Sequence, residues 1–285
     1  MAVSEGIFAS SPTRSARERD RASRGPLISL RSVGKVFPNG TEAIRGFSLD
    51  IPAYPQFLSL LGPSGCGKST LLRIISGLDT CSSGSVEWPN IANGTGQRSK
   101  AEIGFVFQEP TLQPWSTVFE NVYLPLRLRG KGRSQARDQV MEVLRLVHLD
   151  RFADSYPRQL SGGMKMRVSV ARALVMQPRV LLMDEPFAAL DEITRLQLNN
   201  DLLELWEAQG LTVIFVTHSI YESVYLSDRI AVIGARPGRL VADIPIEAPY
   251  PRTEQFRTSA AYNEHCRRVS AQLKAAMGSA GAAHV

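Results

Sequence analysis

Short apolar runs separated by amphipathic stretches repeat along this chain, a pattern of strands alternating with helices around a parallel sheet. Leu27-Ile-Ser-Leu-Arg-Ser-Val33 and Ala43 to Ile51, with the turn Pro38-Asn-Gly40 between them, predict antiparallel strands. Phe57-Leu-Ser-Leu-Leu61 predicts a buried strand, and Ser69 to Ser76 a helix closed by Gly77. Ser82 to Glu87 reads as a turn into a strand, the polar Ile91 to Lys100 as a loop, and Ile103-Gly-Phe-Val-Phe107 as a second buried strand before Gln108. Helices are predicted over Val118 to Leu128 and, more clearly amphipathic, over Ser134 to Val147. Leu160-Ser-Gly-Gly-Met164 opens another, with Met164, Val168, Ala171 and Val175 on one face. Apolar strands follow at Val180 to Met183 and Thr212 to Thr217, separated by a helix from Ile193 to Ala208. Ile230 to Ile233, the turn Arg236-Pro-Gly238 and Leu240 to Ile246 predict a terminal hairpin. Beyond Pro245, Pro249 and Pro251, residues 254–277 predict one more, exposed helix.

A length of 285 residues allows one large or two modest domains with an ample core. The net charge of +6 changes little, because much of it falls at the ends of the chain. Arg14, Arg17, Arg19, Arg21 and Arg24 lie in a Ser/Arg-rich stretch, residues 1–26, expected to be a disordered basic tail. Arg257, Arg267, Arg268 and Lys274 lie near the other end. Such tails either contact nucleic acid or anionic lipid or are simply solvated. No run approaches the roughly 18 apolar residues that span a bilayer, and the apolar core of a signal peptide is missing. Cys66, Cys81 and Cys266 are expected to be thiols in a reducing cytoplasm.

The chemistry starts at Gly62-Pro63-Ser64-Gly65-Cys66-Gly67-Lys68-Ser69-Thr70, which fits the phosphate-binding loop G-x-x-x-x-G-K-[ST] between a strand and a helix. Glycines let successive backbone N–H groups converge on a phosphate, at the positive end of the following helix. Lys68 supplies a mobile charge for the β- and γ-phosphates, and the Ser69 hydroxyl a ligand for Mg²⁺. Val180-Leu-Leu-Met-Asp184 delivers a carboxylate to the end of a buried strand, suited to a partly hydrated Mg²⁺. Glu185 follows and is placed to polarise an attacking water. Phe37, beside the first turn, is either core or a platform for an adenine ring.

Leu160-Ser161-Gly162-Gly163-Met164 resembles the signature motif of ABC ATPases, and the family's other motifs follow in order. Gln108 resembles the glutamine that senses Mg²⁺ and water, Ala189-Leu190-Asp191 the D-loop, and Thr217-His218 the switch histidine that contacts the γ-phosphate. Phe37 takes the place of the adenine-stacking aromatic, usually Tyr. Met166 departs from the pattern, since many relatives carry glutamine there. The resemblance implies an α/β fold: a P-loop NTPase core of ABC type with an antiparallel β subdomain and an inserted helical subdomain. The ATPase domain would span 27–246, the helical subdomain about 110–175, and a C-terminal helical extension 247–285.

It implies further that ATP and Mg²⁺ bind at an interface between two copies, where Ser161, Gly162 and Gly163 of one chain meet the γ-phosphate held by the other. Phe107-Gln-Glu-Pro-Thr-Leu-Gln-Pro-Trp115, Phe187-Ala-Ala-Leu-Asp-Glu-Ile-Thr-Arg195 and Ala235-Arg-Pro-Gly238 resemble the ATPases of nitrate, sulfonate and taurine importers. That group also includes importers of pyrimidine vitamin precursors. Such a chain is expected on the cytoplasmic face of the membrane, peripheral, with integral-membrane permease subunits and, indirectly, a periplasmic or extracellular solute-binding protein. Pro110, Pro114 and Trp115 would shape the groove that receives the permease, although Trp115 equally reads as subdomain core. A soluble ABC ATPase acting on DNA or ribosomes fits less well. Only about 90 residues separate Lys68 from Ser161, without sustained heptads, and there is one cassette. No nucleic-acid partner is expected. A P-loop kinase or GTPase leaves the signature and His218 unexplained.

Overall fold

A computed structural model describes residues 25–89 and 103–281, with side chains to 277. The basic stretch before Gly25 and the Ile91 to Lys100 loop reading lie outside the described residues. The chain opens with β1 (Pro26–Val36) and β2 (Glu42–Pro52), antiparallel across the Pro38 to Gly40 turn, and β4 (Ser83–Glu87) joins the other edge of β1. This small sheet has the order β2-β1-β4.

The second sheet has six strands in the order β5-β6-β7-β3-β8-β9. Its parallel members are β3 (Phe57–Leu61), β5 (Ile103–Val106), β6 (Val180–Asp184), β7 (Thr212–Thr217) and β8 (Arg229–Ile233). β9 (Leu240–Pro245) closes one edge as the antiparallel arm of a hairpin. β3, β6 and β7 are buried along their whole length, which is why they read as continuous apolar runs rather than alternating ones. Their two faces still serve different cores, because successive side chains point to opposite sides. Leu58, Leu60, Val180, Leu182, Ile214 and Val216 pack with the small sheet and with α1 (Lys68–Ser76). Leu61, Leu181, Met183, Val213 and Phe215 face the opposite way, into a larger core with the remaining helices.

Three helices between β5 and β6 pack on one another: α2 (Val118–Leu128), α3 (Arg133–Leu146) and α4 (Gly162–Leu174). Each starts where its sequence allows it to. Thr117 caps α2 by accepting the Glu120 N–H at 3.2 Å, and Ser161 caps α4 by accepting the Met164 N–H at 3.2 Å. α5 (Glu192–Gln209) and α6 (Ile220–Leu226) flank β7.

Past β9 the chain differs from the single exposed helix expected of residues 254–277. It forms a short α7 (Glu254–Arg257) and a long α8 (Ala260–Gly281), broken at Thr258 and Ser259. Tyr262, Cys266, Val269 and Ala276 of α8 are buried, and α8 packs on α6, β8 and β9. No described helix is long and apolar enough to cross a membrane.

Candidate functional site

Strand register places the motifs side by side. Leu61 pairs with Thr217 and Asp184 with Val216 in the parallel sheet, so the residues just after β3, β6 and β7 emerge at one edge. These are the phosphate loop, Glu185 and His218, at the carboxyl ends of strands where α/β sheets place ligands.

The phosphate loop bends through left-handed backbone at Gly65 (φ +74°) and Gly67 (φ +95°). Gly67 also has no room for a side chain, since an added Cβ would stand 2.7 Å from Ala43 O. Lys68 is 4% exposed and donates to Gly62 O at 2.9 Å and Pro63 O at 3.0 Å. Its ammonium also lies 3.3 Å from Glu185 Oε1. The remaining Glu185 oxygen, Oε2, sits 3.1 Å from His218 Nδ1. Glu185 itself is held at φ +45°, with its N–H donating to Val216 O at 3.1 Å. A non-glycine residue there costs on the order of 1 kcal/mol, and such strain concentrates at functional positions. Next to this pair, Ser69 Oγ donates to Asp184 Oδ1 at 2.7 Å. Burial pushes the Asp184 carboxyl above the usual carboxylate range, partly offset by the Ser69 hydrogen bond.

Lys68, Ser69 and Glu185 open onto a cavity of about 650 Å³ lined also by Phe37, Gln108 and Arg236 among others. Ser64, Gly65, Gly67 and Thr70 line it too, whereas Gly62 and Pro63 face Lys68 with their carbonyls. Cys66 turns inward, 1% exposed, and burial raises its thiol pKa; Cys81 and Cys266 are also free. Phe37 is half-buried at the mouth rather than in the core, with Lys35 Nζ 5.4 Å from its ring centre.

His218 does not line this cavity but borders a second, small pocket that shares Glu185, and four residues singled out in the sequence lie further off. Ser161, Gly162 and Gly163 start α4 elsewhere on the chain, and Asp191 caps α5 by accepting the Thr194 N–H at 2.9 Å. Ser161, Gly162 and Asp191 are exposed. Trp115 is 75% exposed, so it is not subdomain core. Its loop is organised by the fully buried Asn121, whose Oδ1 accepts from Gln113 N at 2.8 Å. Asn121 Nδ2 donates to Gln113 O, Ser116 O and Thr117 O.

Sequence reasoning missed three contributors. Arg172 of α4 donates to Pro110 O at 2.9 Å and Thr111 O at 2.8 Å, tying the segment after Gln108 to the signature helix. Glu222 accepts from Thr217 Oγ1 at 2.6 Å, which fixes the base of the His218 loop. Arg236 lines the cavity itself. Its presence in Ala235-Arg-Pro-Gly238 was the one available signal.

A phosphate loop, a strand-end carboxylate bonded to its serine, a second carboxylate beside lysine and histidine, and a separate capped Ser-Gly-Gly helix define an ATPase of ABC type. Residues 44–188 match the ABC transporter family. An aliphatic sulfonates import ATP-binding protein, SsuB, of Bacillus cereus is 42% identical over 87% of this chain and 96% of its own length. The SsuB of Bacillus subtilis is 48% identical over 69% of this chain and 75% of its own. The ATP-binding cassette MJ0796, in a dimeric post-hydrolysis state with ADP and Pi, superposes with a TM-score of 0.66 at 34% identity, over 78% of this chain and all of that one. The chain belongs to the ABC transporter family, as an ATP-binding subunit that hydrolyses ATP.

Proposed function

We propose that this chain drives an importer of aliphatic sulfonates or a closely related small anion, working as a pair at the cytoplasmic face of a membrane. Permease subunits form the path, and a solute-binding protein outside the membrane delivers the cargo. Similarity to the SsuB proteins across most of both chains supports the cargo class. The sequence motifs shared with nitrate and taurine importers point to the same group. Exposed Trp115, on a loop held by buried Asn121, offers the permease an apolar contact on the helical subdomain.

The observation that carries the catalytic reading is the convergence of Lys68, Glu185 and His218 beside the Ser69–Asp184 pair. Phe37 stacks on adenine while the loop N–H groups and Lys68 take the phosphates. A hydroxyl and a carboxylate 2.7 Å apart are hard oxygen donors of the kind Mg²⁺ selects. Ser69, Asp184 and Gln108 would hold that ion, which when bound neutralises charge on the phosphates. Lys68 moves from Glu185 to the phosphates, releasing the carboxylate to orient a water and accept its proton. His218 steadies the transferring phosphoryl group, and Ser161, Gly162, Gly163 and Asp191 come from the second copy.

The test is growth of the source organism with this gene deleted, on an alkanesulfonate as sole sulfur source. The deletion should abolish growth, and the wild-type gene should restore it. A Glu185→Gln gene, expressed equally and still binding ATP, should not. Undiminished growth of the deletion strain would remove the cargo assignment, and rescue by Glu185→Gln would remove Glu185 from catalysis.

A further inference from the structure

The hairpin turn between β8 and β9 doubles back onto the phosphate loop and brings with it a cation that the mechanism above does not use. Gly238 is wedged at the contact. Its N–H donates to Ala43 O at 2.9 Å, and its carbonyl accepts from Arg45 N at 3.0 Å. A Cβ added to Gly238 would stand 2.1 Å from Cys66 O, so the turn lies against the backbone of the loop itself. The turn is closed by Gly234 N–H donating to Arg239 O at 2.9 Å. Main-chain contacts to β2 and the phosphate loop therefore fix where Arg236 leaves the backbone.

Its side chain lies along the nucleotide cavity. Arg236 Nη2 is 2.8 Å from where a Cβ on Gly65 would be, so the guanidinium covers the outer flank of the phosphate loop. Arg236 is exposed and makes no hydrogen bond or ion pair with the described residues. The acid that shares the cavity wall, Glu42, is already bonded to both Nε and Nη2 of Arg45. Lys68, by contrast, is buried and folded against the loop carbonyls. A polyphosphate in the cavity would meet one cation from beneath and a second from the solvent side.

We propose that Arg236 is a nucleotide-binding residue whose guanidinium contacts the phosphate chain on the Gly65 flank, in the same chain that supplies the phosphate loop. This rests on the nucleotide-site reading and adds to it a residue to which none of the site motifs above gives a role. A guanidinium offers two parallel donors to phosphate oxygens and stays charged at any working pH. It binds diphosphate and triphosphate alike, since both present phosphate at the loop. Arg236 thus sets affinity before two chains associate.

The experiment is calorimetric titration of Mg·ADP into protein shown by light scattering to be a single chain, for wild type, Arg236→Ala, Arg236→Lys and Lys68→Ala. Arg236→Ala should weaken ADP roughly tenfold, the scale of a lost charge-assisted hydrogen bond at a partly open site. Arg236→Lys should recover part of the loss, and raising the salt to about 1 M should narrow the gap between Arg236→Ala and wild type. Melting without nucleotide should not change, because the side chain has no hydrogen-bond or ion-pair partner to lose among the described residues. Equal ADP affinity in wild type and Arg236→Ala, with Lys68→Ala impaired, would overturn this inference and leave the site reading standing. Wild type that binds no ADP would overturn both. A lowered melting point in Arg236→Ala, with an ADP loss that Arg236→Lys does not recover, would make Arg236 a structural residue and also overturn it.

Discussion

Lys68, Glu185 and His218 form a closed arrangement. The ammonium is shared between two loop carbonyls and one carboxylate, and the imidazole takes the other carboxylate oxygen. In the proposed reaction, phosphate that takes the Lys68 ammonium would displace that carboxylate and free Glu185 to orient water. Asp184 shows the opposite economy, a carboxyl kept in a buried place where ionisation is disfavoured. Its folded pKa lies above its unfolded value. The carboxylate therefore takes stability away at pH above the folded pKa, and the cost disappears as pH falls through it. In EDTA and without nucleotide, Asp184→Asn should melt higher than wild type at pH 7, by about 2–4 °C for each 1 kcal/mol relieved. The difference should close on acidification, while Mg²⁺-dependent hydrolysis drops by roughly two orders of magnitude or more. A lower melting point at pH 7 would contradict the account of Asp184. The types and spacing of these residues were legible in the sequence, because a phosphate loop and an acidic pair at a strand end are local patterns. Arg236 was not, because only the folded hairpin brings it back to Gly65 across about 170 positions.

At the scale of elements, the periodicity located most helices and strands to within a few residues but not the helix α6, and caps such as Thr117, Ser161 and Asp191 mark several starts. The last helix was misjudged as exposed. Its apolar positions Tyr262, Cys266, Val269, Leu273 and Ala276 form one narrow stripe among polar residues, which by itself does not say whether a partner surface exists. The surface is supplied by α6, β8 and β9. Tyr262 also donates to Tyr221 O at 3.0 Å, and Arg252 anchors the link before α7 by donating to Val224 O and Tyr225 O. Val269→Ala should therefore cost about 2 kcal/mol in urea unfolding, as removal of fully buried methyl groups does. Met277→Ala, at a half-exposed position, should stay within about 0.5 kcal/mol. Equal effects of the two would show that α8 is not docked.

For the whole molecule, an α/β sheet with helices on its face was legible from alternating runs, but strand order was not. The order β5-β6-β7-β3-β8-β9 depends on crossovers and long-range pairing that no local pattern encodes. Ser161, Gly162, Gly163 and Asp191 lie away from the cavity holding Lys68 and Glu185. A single chain has a phosphate cradle and a signature, but not facing each other. The account's central claim is that a second copy completes the site. Lys68→Ala removes the cradle, and Ser161→Arg puts a bulky cation where the γ-phosphate must dock, so each homodimer has two broken sites. A mixed dimer collects both lesions in one site and leaves the other intact. Mixing the two inactive proteins at high concentration should restore Mg·ATP hydrolysis, at about half the wild-type rate per mixed dimer, or trap ATP where Glu185→Gln is added to the Ser161→Arg chain. Mixed dimers that form yet neither hydrolyse nor trap ATP would contradict the shared site.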